Sequence, residues 1–197
     1  MLEQLYQRRM NVMKSKHVRN LLVSGVASLS MLSLTATASS CGADVVSGVN
    51  SASGSALEKV GETRLRVMFF RIYDAELFTE TGRFEDAEEL LLRLEYARNF
   101  TAAKLAEQTQ DEWERMGYPD NEESQSWIEE LTTMWPDVSS GDCIVAHKNP
   151  EGSVTFYGND GELGTIESNV FADQFLSIWL SEEARYRDSR DELVGVE

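Results

Sequence analysis

The order of the predicted elements constrains the fold of this chain most. Thr63 to Phe78 (TRLRVMFFRIYDAELF) is rich in β-branched and aromatic residues and is interrupted by Asp74, which predicts one long strand or two short ones. Glu89 to Ala97 (ELLLRLEYA) alternates with a period of two, which predicts a half-buried strand. The chain therefore opens its folded part with strands rather than with a helix.

Helices and short strands follow without the regular strand–helix alternation of a parallel sheet. Thr101 is a candidate N-cap for a helix that Gly117 closes, and Pro136 ends a second helix. The predicted helices are 101–116, 122–135 and 168–180, and the predicted short strands are 142–147, 153–157 and 162–166. This order predicts an α+β fold with an antiparallel sheet and helices on one face.

Composition excludes several classes of function. The 197 residues are 42% apolar and 26% charged, which is typical of one globular domain. A net charge of −16 argues against nucleic acid as a partner. Two cysteines and two histidines are too few for a Cys/His metal site. We therefore expect no metal and no cofactor.

Residues 1–40 have the composition of a secretory signal. Basic residues between Arg8 and Arg19 precede an apolar run from Leu21 to Leu34, and Ala36-Thr37-Ala38 is a small-residue cleavage site. The run is shorter than the roughly 20 residues that a spanning helix needs. The sequence predicts export to the periplasm.

Cys41 allows three interpretations. Ala38-Ser39-Ser40-Cys41 is similar to a lipoprotein box, which would make Cys41 a lipid-attachment site and the lipid the protein's contact with a membrane. Alternatively, Cys41 is a free cysteine or forms a disulfide with Cys143. Residues 41–56 are rich in Gly, Ser and Ala and are predicted to be a flexible linker, which weakens the disulfide alternative.

The sequence indicates no catalytic residue. It lacks a Gly-rich phosphate loop and a G-x-S-x-G motif, and strand spacing separates Cys143 from His147 by about 13 Å. Arg64, Arg66 and Arg71 stand out because they interrupt an apolar strand region. Either they lie on the solvent side and pair with acidic neighbours, or one guanidinium points inward and binds a ligand carboxylate beside a tyrosine.

Several ordered motifs carry a family resemblance: GETRLRVMFFRIYDAELF from Gly61, Gly141-Asp142, FYGNDGELGTI from Phe156, and FLSIWL from Phe175. Over residues 57–181 the chain resembles the chalcone isomerase-like family, in its bacterial exported branch. The resemblance implies an open-faced β-sandwich with a ligand cleft between an antiparallel sheet and the helices. Residues 182–197 are predicted to be a polar, weakly ordered tail.

The resemblance also implies site residues. The family's cleft arginine falls on Arg64, and a position that is threonine in the isomerases and tyrosine in the fatty-acid binders falls on Tyr73. Polar positions of the isomerases fall on Thr101, Gln108 and Ala172, where this sequence differs. These matches favour the binders and predict Arg64 and Tyr73 as ligand-binding residues.

One geometric condition accompanies this assignment. Arg64 and Tyr73 have opposite strand parity and would lie about 30 Å apart on one extended strand. They converge only if the chain reverses near Met68-Phe69; otherwise Arg71 takes the place of Arg64.

Three functions follow from the sequence. The first is non-catalytic binding of a fatty acid or a similar small apolar carboxylate. The second is an intramolecular lyase, an isomerase of the chalcone isomerase type. The third is a structural envelope protein with a filled cleft. The sequence does not indicate protein partners.

Overall fold

The computed structural model describes residues 57–196, together with Val45, Gly48, Val49 and Gly54. Six strands form one antiparallel sheet in the order β1-β2-β3-β4-β5-β6, so each strand pairs with its neighbour along the chain. The strands are β1 Glu58–Val67, β2 Phe70–Thr79, β3 Leu90–Tyr96, β4 Cys143–Lys148, β5 Val154–Gly158 and β6 Gly161–Ile166. The predicted α+β class and antiparallel sheet are confirmed.

Between residues 57 and 196 the sheet is accompanied by four helices: α1 Ala102–Met116, α2 Glu122–Met134, α3 Asn169–Leu180 and α4 Arg187–Val194. The Thr101 side chain accepts a hydrogen bond from the Lys104 backbone N–H, which confirms Thr101 as the N-cap of α1. Gly117 ends α1 in the left-handed conformation at φ 80°. Helices α1 to α3 therefore begin and end close to their predicted boundaries.

The helical layer covers one face of the sheet. Every second residue of β3, from Leu90 to Tyr96, points into this core, as the period of two predicts. Phe156, Phe171 and Phe175 form its centre, with ring centroids 5.3 to 6.2 Å apart.

The opposite face of the sheet carries a smaller apolar cluster and a ladder of ion pairs. Arg93 bridges Glu76 and Glu95 on this face, and Lys59 pairs with Glu76. The apolar cluster comprises Val49, Leu57, Leu91, Cys143 and Val145. Val49 is buried against it, so the segment predicted to be a linker contributes at least one anchored side chain. The rest of residues 41–56 lies largely outside the described residues.

The prediction of a weakly ordered tail at residues 182–197 is wrong. Helix α4 packs against β1, and Leu193 and Val194 are almost fully buried. Gly61 makes this packing possible, because a Cβ there would lie 2.6 Å from the Leu193 carbonyl oxygen. Hydrogen bonds from Thr63 to Glu192 and from Arg190 to the Leu180 carbonyl oxygen also hold this otherwise polar helix.

The predicted signal segment, residues 1–40, and Cys41 lie outside the described residues. Within the part of the chain that is described, no helix has both the length and the apolar composition needed to cross a bilayer. The same residues contain no cluster of three or more metal-ligating side chains.

Candidate functional site: a cavity between the sheet and the helices

A cavity of about 530 Å³ lies between the sheet and the helical layer. Its volume is within the range of about 300–1,000 Å³ that is typical of small-molecule sites. Most of its wall is apolar. The apolar lining residues are Leu65, Val67, Ile72, Leu92, Leu94, Phe100, Leu105, Trp135, Ile144, Ala146, Phe175 and Ile178.

Two tyrosine hydroxyls lie within this apolar wall. The indole Nε1 of Trp179 donates to the Tyr73 hydroxyl oxygen at 3.0 Å, so the proton of Tyr73 remains free to donate. The Tyr96 hydroxyl makes no hydrogen bond to any described residue, and its ring packs edge-on against Tyr73 at 6.4 Å. Burial raises the pKa of both tyrosines, which keeps them neutral hydrogen-bond donors at physiological pH.

A glutamate–arginine cluster, formed by Glu112, Arg115 and Arg185, lies where the cavity approaches the surface. The Glu112 carboxylate is buried and accepts from Arg185 Nε at 2.6 Å and from Arg115 Nε at 2.7 Å. One carboxylate facing two guanidinium groups leaves a surplus positive charge. Arg185 lines the cavity, and its two terminal nitrogens have no partner among the described residues.

The polar groups gather at one end of the cavity. The charge of Glu112 and the Tyr186 hydroxyl are both close enough to Tyr73 to raise its pKa further. Lys104 and Asp111 also belong to the lining, but both are exposed, and Lys104 pairs with Glu107 at 2.9 Å. The cavity therefore has an apolar interior and one polar end with a partly exposed guanidinium.

The placement of Arg64 in the cleft is wrong. Arg64 lies on the outer face of the sheet, where its Nε and Nη2 donate to the two carboxylate oxygens of Asp74, both at 2.8 Å. This bidentate pair lowers the pKa of Asp74 to about 2. Arg71 binds the same carboxylate from the other side, so neither arginine faces the cavity. Both arginines therefore form ion pairs with an acidic neighbour on the solvent side, which is the first of the two alternatives that the sequence left open.

The predicted chain reversal is present, yet it does not join Arg64 to Tyr73. Met68 and Phe69 form a two-residue turn between β1 and β2. Tyr73 pairs with Leu65 across the hairpin, and Arg64 pairs with Asp74. Because paired residues of antiparallel strands share a face, Leu65 accompanies Tyr73 in the cavity wall.

The three positions that differ from the isomerases have distinct surroundings. Thr101 caps α1, and Ala172 is fully buried within the aromatic core. Gln108 lines the cavity, and its side-chain nitrogen lies 3.4 Å from the Glu112 carboxylate. Gln108 is therefore the one member of this set that can meet a ligand.

Cys143 and His147 form no catalytic pair. Cys143 is disulfide-bonded and packs on the outer face of the sheet; the chain's other cysteine, Cys41, lies outside the described residues. The His147 Nε2 lies 2.8 Å from a carboxylate oxygen of Glu89, which is itself buried.

Sequence reasoning missed Tyr96, Glu112 and Arg185 as site residues. A tyrosine in an otherwise leucine-lined strand face was the available signal for Tyr96. Glu112 falls on the same face of α1 as Leu105, seven residues apart, which a helical-wheel analysis can detect. Arg185 has no comparable signal, because it lies in the connection between α3 and α4.

Comparison with known proteins agrees with this architecture. An uncharacterized protein of Haemophilus influenzae is 28% identical over 127 residues, an alignment that covers 64% of this chain and 62% of that relative. The chain thus spans less than two thirds of that relative's length. The crystal structure of the Arabidopsis thaliana fatty-acid binding protein AtFAP1 is similar in fold, with a TM-score of 0.50 at 12% identity, over 71% of this chain and 84% of the plant chain. Residues 51–195 match the chalcone isomerase-like family, and the chain belongs to that family.

Proposed function

We propose that this protein binds a fatty acid or a similar apolar carboxylate in the cavity and carries out no chemical step on it. The carboxylate contacts the free terminal nitrogens of Arg185, and the neutral hydroxyls of Tyr73 and Tyr96 supply further hydrogen bonds. One observation carries the proposal: an apolar cavity of about 530 Å³ whose single polar end contains an incompletely paired guanidinium.

The energetics suit a long-chain acid. Each methylene transferred from water into the apolar interior contributes about 0.8 kcal/mol, so the tail supplies most of the affinity. A charge-assisted hydrogen bond adds about 1.5–3 kcal/mol, and less at Arg185, which is partly exposed. The head group therefore supplies selectivity for an acid.

Two observations weigh against the other functions suggested by the sequence. A cavity of this size argues against a structural protein with a filled cleft. The strand position beside Tyr73 is leucine, so no strand arginine is available to stabilise the oxyanion of an isomerase reaction. The fatty-acid binding described for the plant structural neighbour supports a binding role.

Titration calorimetry on delipidated protein tests the proposal. Wild type should bind palmitic acid and bind its methyl ester more weakly. Arg185→Gln should lose roughly tenfold in affinity for the acid and little for the ester. Arg64→Gln is the matched control, because it removes an arginine on the other face of the sheet and should leave both affinities unchanged.

Two results would contradict the proposal. One is equal binding of acid and ester, which would remove the role of the guanidinium. The other is a loss of acid binding in Arg64→Gln but not in Arg185→Gln. A thermal melt of each variant separates an effect on binding from an effect on folding.

We also propose that the protein is exported and that Cys143 pairs with Cys41 rather than Cys41 carrying a lipid. The basic and apolar segments before residue 40 support export, and a disulfide at Cys143 suits an oxidising compartment. Intact-mass measurement of the secreted protein, with and without reductant, tests both points. A diacylglycerol-modified Cys41 would refute the disulfide.

A further inference from the structure

The turn between β1 and β2 exposes a continuous apolar surface. Val67, Met68, Phe69 and Phe70 are 38%, 83%, 92% and 55% exposed, respectively. Four of the seven exposed large apolar side chains in the described part of the chain are thus consecutive at this hairpin tip, residues 67–70. Singly exposed apolar residues are ordinary on a protein surface, but a run of four on one protruding turn is not.

The residue types in this turn do not match its backbone conformation. Two-residue hairpin turns favour Asn or Gly because they need positive φ angles, yet Met68 adopts φ 57°. Only the first of the two turn residues has a positive φ, so glycine in place of Met68 would make the same turn with less strain. Local rules of this kind are broken mainly where a side chain has a function.

Positive charge surrounds the hairpin tip even though the whole chain is strongly acidic. Arg66 is exposed and has no carboxylate partner among the described residues. Arg98 is exposed as well, with its guanidinium carbon 4.7 Å from the centre of the Phe70 ring. The neighbouring Arg71 is neutralised by its ion pair with Asp74, whereas Arg66 and Arg98 form no ion pair with a described residue and can therefore meet an anionic surface.

We infer that the hairpin tip binds the surface of a phospholipid bilayer that contains anionic lipid. Phe69 and Met68 enter the interface between head groups and acyl chains, and Arg66 and Arg98 contact lipid phosphates. A narrow convex turn suits a deformable lipid surface better than a protein partner, which usually presents a larger complementary patch.

The position of the tip relative to the cavity gives this contact a consequence. Val67 belongs both to the tip and to the cavity wall. The polar end of the cavity lies at the same end of the sheet, because Tyr73 is three residues from Phe70 and bonds to Trp179 near the end of α3. Docking of the tip would therefore bring the cavity entrance to the membrane. This consequence rests on the proposed function, whereas the bilayer contact does not.

A tryptophan reporter in the full-length chain tests the contact directly. Phe69→Trp is mixed with vesicles of phosphatidylcholine and phosphatidylglycerol whose acyl chains are brominated. We expect quenching and a blue shift of the added emission. Val170→Trp is the matched control: Val170 is 54% exposed but follows Asn169, the first residue of α3, which contacts Gly152 at the opposite end of the sheet. The emission of a tryptophan at position 69 changes only when that side chain enters the bilayer. Vesicle binding through another segment would therefore leave this emission unchanged.

Substitutions then test the two components of binding. Phe69→Ser should weaken binding to the mixed vesicles about tenfold, and Arg66→Gln or Arg98→Gln about fivefold each. Arg83→Gln controls for net charge, because Arg83 follows the far end of β2, about 30 Å from the tip, and should have little effect. Added salt should weaken the wild type more than the arginine variants.

The inference is overturned if Phe69→Trp and Val170→Trp are quenched equally, or if neither is quenched. It is also overturned if Phe69→Ser changes the oligomeric state in size-exclusion chromatography while vesicle binding is unaltered, because the tip is then a protein contact. If the wild-type protein binds the vesicles but does not bind palmitic acid, the proposed function is refuted and this inference still stands.

Discussion

Replacing Glu112 by glutamine should change stability and ligand affinity in opposite directions. The carboxylate is buried between Arg115 and Arg185, at 2.7 and 2.6 Å, and it borders the cavity. In the unliganded protein it neutralises part of the positive charge at the polar end. In the complex proposed above, it also repels the carboxylate of the ligand.

The stability change follows from the bonds that are lost. Two charge-assisted hydrogen bonds contribute about 1.5–3 kcal/mol each when fully desolvated. The side chains of Arg115 and Arg185 are 30% and 45% exposed, and glutamine keeps one acceptor oxygen, so both arginines retain partial compensation. We expect Glu112→Gln to lower the free energy of unfolding by roughly 1–3 kcal/mol.

The affinity change follows from the removed repulsion. Glu112 and a carboxylate on the terminal nitrogens of Arg185 would occupy two sides of one guanidinium. At roughly 8 Å and an effective dielectric constant near 20, their repulsion is about 2 kcal/mol. Even with half of this energy screened by solvent, Glu112→Gln should bind palmitic acid several-fold more tightly. The methyl ester should bind the same as in the wild type.

Urea denaturation and calorimetric titration measure the two effects. Glu114→Gln provides the matched control, since it makes the same charge change two residues farther along α1 at an exposed position without an ion pair among the described residues. Glu114→Gln should change the free energy of unfolding and the affinity for palmitic acid only slightly. If Glu112→Gln weakens acid binding while remaining folded, the carboxylate of the ligand does not lie beside Arg185, and the assignment of the head-group site is refuted.

Two further predictions concern the fold. Gly61→Ala should destabilise the domain by roughly 1–3 kcal/mol in urea denaturation, because the new Cβ would overlap the Leu193 carbonyl; Gly48→Ala, whose Cβ meets open space, should not. The folded-state pKa of Asp74, about 2, is below its ordinary value, so its stabilising contribution is complete above about pH 4 and is lost as pH falls toward 2. Asp74→Asn should therefore flatten the stability profile between pH 4 and 2, measured by thermal unfolding, and an unchanged slope would show that the ion pair with Arg64 contributes nothing.

Much of the fold could be predicted because its signals are local. The period of two between Glu89 and Ala97 identified β3 and the face that packs against the helices, but it did not indicate that Leu91 and Arg93 on the other face are buried as well. Thr101 identified the start of α1. Helix α4 could not be predicted in the same way, because its stability comes from the fit of Leu193 and Val194 against β1 rather than from its own composition.

The site could be predicted only in part. Tyr73 was correctly expected to face the cleft, although its role in binding remains a proposal. The charged end was missed because it assembles from α1 and from the connection after α3, which are distant in sequence. Hydrophobic periodicity describes one helix or strand at a time, so it cannot predict a contact between two elements.

A β-bulge beside the hairpin tip explains why Tyr73 faces the cavity without sharing that face with Arg64. Next to the turn, Val67 pairs with Phe70 and Arg66 with Arg71; continued in this register, Arg64 would pair with Tyr73 and share its face. Instead the register shifts by one between Leu65 and Arg66, and Ile72 is the extra residue. Ile72 and Tyr73 consequently both line the cavity, and Leu65 replaces Arg64 opposite the tyrosine. A shift of one residue exchanges the two faces of a strand, and the extra residue lies in β2, so this bulge turns Tyr73 into the cavity. Strand β1 keeps its alternation, with Leu65 and Val67 in the cavity wall and Arg64 on the outer face, which leaves the recognition of an anion to a residue outside the sheet.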